Sequence, residues 1–387
     1  MYPRISDLIA DIFGINVPLP IQSFGFFVAL AFVAVSFVLV AELKRKEKLG
    51  KIPTTVKRTL RGGHIKVVEW IIGAIIGFAL GFKLFETLLD YTAFVNNPQE
   101  FILSARGSIF GGFLGVAISL GLKYWTYYKE KKKYKQPTWE ETVVRPHEHT
   151  ANLIVYGAIF GLIGSKIFHN LEYIDEFFKD PIEALFSFSG LTFYGGLFVA
   201  AIALIWYANK NKIKPLHIMD TTAPGLALGY GVGRVGCHVS GDGDWGIVAN
   251  WGDKLPNFLP EWFWQYRFPH NVINEGIPIE GCVGHNCFIL ENPVYPTAMW
   301  EAILGILIFV FLWSIRKRIN IAGVMFSIYM ILQGIERFFI EKIRVNSVYH
   351  ILGREITQAE IISFVSIMIG VVGVIYFYKN KKRFLEY

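Results

Sequence analysis

Gly229-Tyr-Gly-Val-Gly-Arg-Val-Gly-Cys-His-Val-Ser-Gly-Asp-Gly-Asp-Trp-Gly246 ends an apolar segment, residues 217 to 240, that is long enough to cross a membrane. The sixth residue of this stretch is Arg234. A guanidinium at that depth costs roughly 2.5 to 3.5 kcal/mol on insertion scales, so Arg234 is predicted to face a polar cavity and to hold an anion. A helix carrying such a residue requires other helices around it.

The composition supplies them. Of 387 residues 53% are hydrophobic and 18% charged, a balance too apolar for a soluble domain and suited to a polytopic membrane protein. Apolar runs of about 20 residues, each enough for a hydrocarbon core of roughly 30 Å, lie near residues 20 to 42, 66 to 89, 107 to 125, 152 to 171, 190 to 208, 217 to 240, 297 to 315, 321 to 342 and 357 to 378. The fold class expected is therefore all-α, a single membrane domain over residues 1 to 387 with about nine transmembrane helices. Asp7 and Asp11 stand where a secretory signal would be basic, and the first run is too long for a signal core, so it is expected to remain as an anchor.

The net charge of +7 does not point to nucleic acid, because the basic residues fall in short blocks between runs: Lys44 to Arg61, Lys129 to Lys135, Lys210 to Lys214, Arg316 to Arg318 and Lys379 to Arg383. By the positive-inside rule these are cytoplasmic. The alternate loops are acidic, with Glu86, Asp90 and Glu100 in one and Glu172, Asp175, Glu176, Asp180 and Glu183 in another. Both patterns predict an N-terminus outside and a C-terminus inside. The long loop 241 to 296 then lies outside, where Cys282 and Cys287 are expected to form a disulfide. His285 between them lacks a second ligand pair at suitable spacing, so neither a metal nor an organic cofactor is indicated.

The chain also repeats itself. Gly73-Ala-Ile-Ile-Gly77 recurs as Gly157-Ala-Ile-Phe-Gly161, Gly81-Phe-Lys-Leu-Phe85 as Gly164-Ser-Lys-Ile-Phe168, and Ile109-Phe-Gly-Gly112 as Phe193-Tyr-Gly-Gly196. Asn97-Pro98 and Gly107 align with Asp180-Pro181 and Gly190 at the same offset of 83 or 84 residues. Segment 66 to 128 thus reads as a tandem copy of the hairpin 152 to 210. Two added crossings leave the downstream orientation unchanged. Only the second copy has Tyr194 before its glycine pair; the first has Phe110.

In the run 321 to 342 and just beyond it, Gln333, Arg337, Glu341 and Arg344 are spaced to share one helix face. Arg337 and Glu341 together could cost roughly 5 to 7 kcal/mol in the bilayer, so an ion pair or a polar site is required. With the predicted topology, Tyr194, Arg234, Glu301 and Arg337 all fall toward the outer side, which implies a shared pocket there.

At this point the sequence resembles a known family. Asp220-x3-Pro224-x4-Gly229-x3-Gly233-Arg234-x-Gly236, running into Gly241-Asp242 and Trp245-Gly246, is similar to the signature segment of the prolipoprotein diacylglyceryl transferases. Phe193-Tyr-Gly-Gly-Leu197, Tyr295-Pro-Thr-Ala-Met-Trp-Glu301 and Gly334-Ile-Glu-Arg-Phe-Phe-Ile-Glu-Lys-Ile-Arg344 match further motifs in the family's order. The likeness covers about residues 18 to 42 and 152 to 378.

The resemblance implies an enzyme of the bacterial inner membrane, active toward the outer leaflet, that works on phosphatidylglycerol and on prolipoprotein signal peptides with a lipobox cysteine. The lipobox thiol attacks the glyceryl carbon, gives a thioether and releases glycerol phosphate. Arg234 and Arg337 are the candidate phosphate clamp, since arginine bonds phosphate bidentately. Glu341 is expected to orient Arg337, while Glu301, Asp242, Arg344, Gly233 and Gly236 complete the substrate site. Tyr194 stands where some members have His, and His238 is a candidate base. Departures from the family pattern are Phe24 for Tyr, Cys237-His238 for Asn-Phe, Ser240 for Asn, Asp242 for Glu, Gln333 for Tyr, and one residue inserted before Trp245. The competing expectations are a transporter or lipid flippase and a non-catalytic lipid-binding relative.

Overall fold

The computed structural model describes the chain apart from residues 16, 18, 64, 97–100, 103, 135, 187–191, 252–254, 346–347, 352–353 and 386–387. Asn97, Pro98, Glu100 and Gly190 of the repeat and loop readings lie outside the described residues. Each predicted run is a long helix: α1 Ser23–Lys48, α2 Val67–Leu89, α3 Ile109–Lys133, α4 Thr150–Glu172, α5 Phe193–Lys210, α6 Pro215–Ser240, α7 Thr297–Ile315, α8 Val324–Glu341 and α9 Gln358–Lys379. By length and composition, six helical segments among the described residues suffice to cross a membrane: α1, α2, α3, Pro146–Glu172, α7 and α9. Of the other three, α6 carries Asp220 and Arg234, and α8 carries Glu336, Arg337 and Glu341.

The chain divides into two compact units, the first Met1–Pro53, Pro146–Val155 and Leu204–Tyr387, the second Thr54–Arg145 and Tyr156–Ala203. In the first, α6 packs against α1, α7 and α8, and α8 packs against α9. Small residues allow this close approach, as is usual between helices in lipid, where van der Waals contact replaces the hydrophobic effect. A Cβ added at Gly305 of α7 would stand 2.9 Å from Cα of Gly231 in α6, and one at Gly370 of α9 would stand 2.7 Å from the Ser327 carbonyl oxygen. Ala223, Ala227, Ile308, Leu312 and Met325 fill the core between α6, α7 and α8.

Local chemistry sets the helix ends. Pro215 opens α6, where its missing N–H costs nothing, and Gly241 closes it at φ +64°. A reciprocal capping box opens α9: Thr357 Oγ1 accepts from Glu360 N at 3.1 Å, and Glu360 accepts from Thr357 N at 2.9 Å. The start of α8 is capped from outside its own chain segment. Asp220 of α6, buried, accepts from Gly323 N at 2.9 Å and Phe326 N at 3.0 Å, and pairs with Lys46 of α1 at 3.7 Å. Fourteen residues along α6, or about 21 Å, is Arg234.

The loop after α6 folds back onto the ends of α7 and α8. Trp245, Phe268, Leu290 and Val294 form its core, and Cys282–Cys287 are disulfide-bonded, as their position suggested. Asn271, fully buried, donates to the Glu275 carbonyl at 2.9 Å and accepts from Glu275 N at 2.8 Å. Gly246 N donates to Tyr295 O at 2.8 Å and Ile247 N to Ile343 O at 2.8 Å, which brings residues 242–246 beside Arg344.

In the second unit the helices repeat one another's contacts. Ser108 N donates to Phe82 O at 3.0 Å, and Thr192 N to Ser165 O at 3.2 Å. A Cβ at Gly111 would lie 2.2 Å from Phe85 Cβ, and one at Gly195 would lie 2.3 Å from Phe168 Cβ. Both pairs keep the offset of the sequence repeat. Lys83 is held by the carbonyls of Phe101, Ser104 and Arg106. The basic stretch before α2 proves to be a strand, β1 Thr55–Arg61, antiparallel to β2 Thr138–Val144, with Thr55 opposite Val144 and Arg61 opposite Thr138. Arg58 pairs with Glu141 at 2.7 Å and Arg61 with Glu140 at 3.2 Å. Charge alone reads this segment as a loop; its alternating Thr-Val-Lys-Arg-Thr-Leu-Arg side chains and a distant acidic partner make it a strand.

Removing Asp220 leaves two helix-end donors without their acceptor and leaves buried Lys46 with the His217 carbonyl but no carboxylate from Asp220. Asp220→Ala is expected to cost about 3 kcal/mol, read as a lower thermal midpoint in detergent. Adding Lys46→Met should recover part of that loss, because the orphaned cation is then removed as well.

Candidate functional site

Three helices bring their charges to one place. Glu301, in the first turns of α7, is fully buried. Its Oε2 lies 2.6 Å from Arg234 Nε, and its Oε1 lies 3.1 Å from Arg337 Nη1 and 3.2 Å from Arg344 Nη1. A single carboxylate thus meets guanidiniums from α6, α8 and the turn after α8. Glu341 pairs with Arg337 at 3.0 Å, one helical turn along, as the i, i+4 spacing requires. Asp244, from the loop after α6, bridges Arg234 and Arg344. Such an array survives burial only because each charge meets an opposite one at hydrogen-bonding range.

Around this centre lie polar groups of the same helices. The Arg234 guanidinium sits 5.3 Å from the centroid of the Tyr230 ring, one turn earlier on α6. Tyr230 donates to Glu336 at 3.3 Å, and Gln333 donates to the other Glu336 oxygen at 2.7 Å. The nitrogen Nε of Arg344 is buried and has no hydrogen-bond partner among the described residues.

The loop carboxylates differ in their surroundings. Burial and the neighbouring Asp244 push Asp242 above the ordinary carboxylate range. Burial pushes Asp244 up too, yet Arg234 and Arg344 outweigh it and hold Asp244 below that range. Asp242 accepts from Asp244 N at 3.2 Å, and Asp244 O accepts from Thr297 Oγ1 at 3.0 Å, so both residues are tied to the top of α7. Cys237, Asp242 and Asp244 present ligand atoms within 4.8 Å of one another, but Asp244 is already committed to two guanidiniums, and the Arg234 charge would oppose a cation there.

The residues singled out in the sequence are therefore placed as follows. Arg234, Arg337, Arg344, Glu301 and Glu341 converge, and Asp242 shapes the adjoining loop. Gly236 serves packing: a Cβ there would stand 2.8 Å from Phe27 Cβ of α1. At Gly233 a Cβ meets nothing within 4 Å. His238 lies among aromatic rings, 6.2 Å from Tyr266 and 5.5 Å from Phe268 between centroids. Tyr194 belongs to the second unit, where it opens α5 just before Gly195 and Gly196. Sequence reasoning missed Asp244 and Tyr230. Tyr230 was legible, four residues before Arg234 on one helix face, whereas Asp244 sits in a glycine-flanked loop with no period to place it.

The arrangement can bind and stabilise a phosphate. Arginines converging from separate helices offer planar, charge-assisted donors, and a buried carboxylate at their centre fixes their directions.

Known proteins resemble this chain. A family profile described as prolipoprotein diacylglyceryl transferase matches residues 124–376. The chain is 28% identical to the phosphatidylglycerol–prolipoprotein diacylglyceryl transferase of Staphylococcus haemolyticus over 293 residues, covering 74% of this chain and 88% of that protein. It is 28% identical to the enzyme of the same name from Staphylococcus saprophyticus, covering 69% and 85%, and 26% identical to that of Staphylococcus aureus strain Newman, covering 68% and 83%. The matched profile spans the signature helix α6, the Glu301 helix α7 and the arginine helix α8 alike, and this chain belongs to the prolipoprotein diacylglyceryl transferase family.

Proposed function

We propose that the protein transfers the diacylglyceryl group of phosphatidylglycerol to the thiol of a lipobox cysteine in a prolipoprotein. The observation that carries this reading is the convergence of Arg234, Arg337 and Arg344 on buried Glu301. In the reaction a C–S bond forms at the glyceryl carbon, and the bond from that carbon to the phosphate oxygen breaks. The electron pair stays on oxygen, so the phosphodiester monoanion becomes glycerol phosphate with one more negative charge. Stabilising that charge is the work the guanidiniums are built for, because they gain more from the leaving group than from the bound lipid.

Arg234 and Arg337 are the clamp, with Arg344 beside them. Glu341 orients Arg337, and Glu301 holds all three guanidiniums in register. A substrate thiol of ordinary pKa near 8.5 is partly thiolate at neutral pH, and a cationic site raises that fraction. Gly233 marks an open flank of α6 along which the lipid passes. The nine long helices cross the bacterial inner membrane with the N-terminus outside and the site toward the outer leaflet, in keeping with the basic blocks between them. Segment 66 to 128 is a duplicate hairpin that adds two crossings. Membrane lipid and prolipoprotein signal peptides are the partners; no nucleic acid is involved.

The direct test is transfer of label from phosphatidylglycerol to a lipobox peptide by purified protein. Arg234→Lys keeps the charge but loses the fork; transfer is expected to fall at least roughly 100-fold while the variant still inserts and elutes as a single species. Full activity in that variant would remove Arg234 from the clamp. The two glycines should part company: Gly236→Val is expected to lower the thermal midpoint, whereas Gly233→Val keeps it and slows transfer.

A further inference from the structure

The charges of the cluster balance before any substrate arrives. Arg234, Arg337 and Arg344 face Glu301, Glu341 and Asp244, three against three, and Glu336 adds a carboxyl at the edge. A phosphate brought into a neutral array meets repulsion from carboxylates as well as attraction from guanidiniums. Unless one carboxylate gives way, the clamp has no surplus charge to offer.

The three carboxylates are not equally able to move. Glu301 and Glu341 are on helices, and their side chains are 0% and 1% exposed. Asp244 is in a loop between Gly243, at φ +95°, and Trp245, and its side chain is 33% exposed. Its backbone is anchored through its N–H and carbonyl, so rotation about χ1 alone withdraws the carboxylate. It bridges the two guanidiniums, Arg234 and Arg344, and Arg344 Nε is a buried donor with no acceptor among the described residues. A carboxylate between two arginines presents two oxygens much as a phosphate does.

We propose that Asp244 is a resident counter-ion: it occupies the place of two phosphate oxygens between Arg234 and Arg344, and it turns out when the phosphate of the substrate binds. The proposal rests on the reading of this cluster as a phosphate clamp. It makes Asp244 a positioning residue that acts through the arginines. While the site is empty, Asp244 keeps Arg234 and Arg344 aimed inward and discharged; after transfer, its return helps to expel glycerol phosphate.

Isothermal titration of the full-length protein in detergent with glycerol phosphate tests this without requiring turnover. Asp244→Asn is expected to bind glycerol phosphate at least roughly tenfold more tightly than the unsubstituted protein, and Asp244→Glu, which restores the charge, should return toward the original affinity. Asp244→Ser removes the same charge and serves if the amide variant does not fold. In steady-state transfer the neutral variants should show a lower KM for phosphatidylglycerol and no matching rise in kcat, since product leaves more slowly. Equal or weaker binding by folded neutral variants would overturn the counter-ion role and leave the transferase reading standing. Binding by none of the proteins would overturn both this role and the phosphate clamp. Tight binding of glycerol phosphate with no transfer would instead count against the transferase reading alone.

Discussion

Everything in the first unit is arranged around a carboxylate that no water reaches. Glu301 has zero exposure and meets three guanidiniums. An uncompensated carboxylate there would cost several kcal/mol, and so would each arginine by itself. Neither sign is stable without the other, which means that α6, α7 and α8 must associate in one register for any of them to remain in place. The close glycine contacts between α6 and α7, Gly231 against Gly305, supply the short interhelical distance that lets these side chains reach.

The second charge network, at the opposite end of α6, has another task. Asp220, Lys46 and the backbone of Gly323 and Phe326 tie α1, α6 and α8 together by satisfying helix-end donors. It is a buried fastening between helices. The Glu301 network differs in that one of its members comes from a loop, is partly exposed, and links to its arginines through a side chain that can rotate. The two networks thus differ in burial and in how firmly each carboxylate is held.

Much of this was readable from the residues. Apolar run lengths located the nine long helices among the described residues, of which six are long and apolar enough to cross a membrane. The i, i+4 spacing of Arg337 and Glu341 forecast their ion pair, and intramembrane cost singled out Arg234. What could not be read was tertiary. Glu301 was visible as a polar residue at the right depth and as the end of a family motif, and nothing in its neighbourhood in the chain says that three arginines meet on it. Asp244 has no helical period, and its partners lie 10 and 100 residues away. Cys237 and His238 follow Arg234 closely, yet His238 packs into an aromatic cluster formed by the returning loop. The β1–β2 ladder joins residues more than 75 apart, beyond the reach of local pattern.

That ladder has a consequence for how the chain can be edited. Thr55 lies opposite Val144, so the peptide departs from and comes back to a single point, with 88 residues between. Antiparallel partners are about 5 Å apart, a gap that two or three residues of linker span. A segment bounded in this way can be excised or exchanged for another domain without stretching the flanking chain, and because it holds an even number of long helices, every element downstream keeps its side of the bilayer. The strand pair is in effect a splice point, at which cargo of a different kind could be carried by the same scaffold.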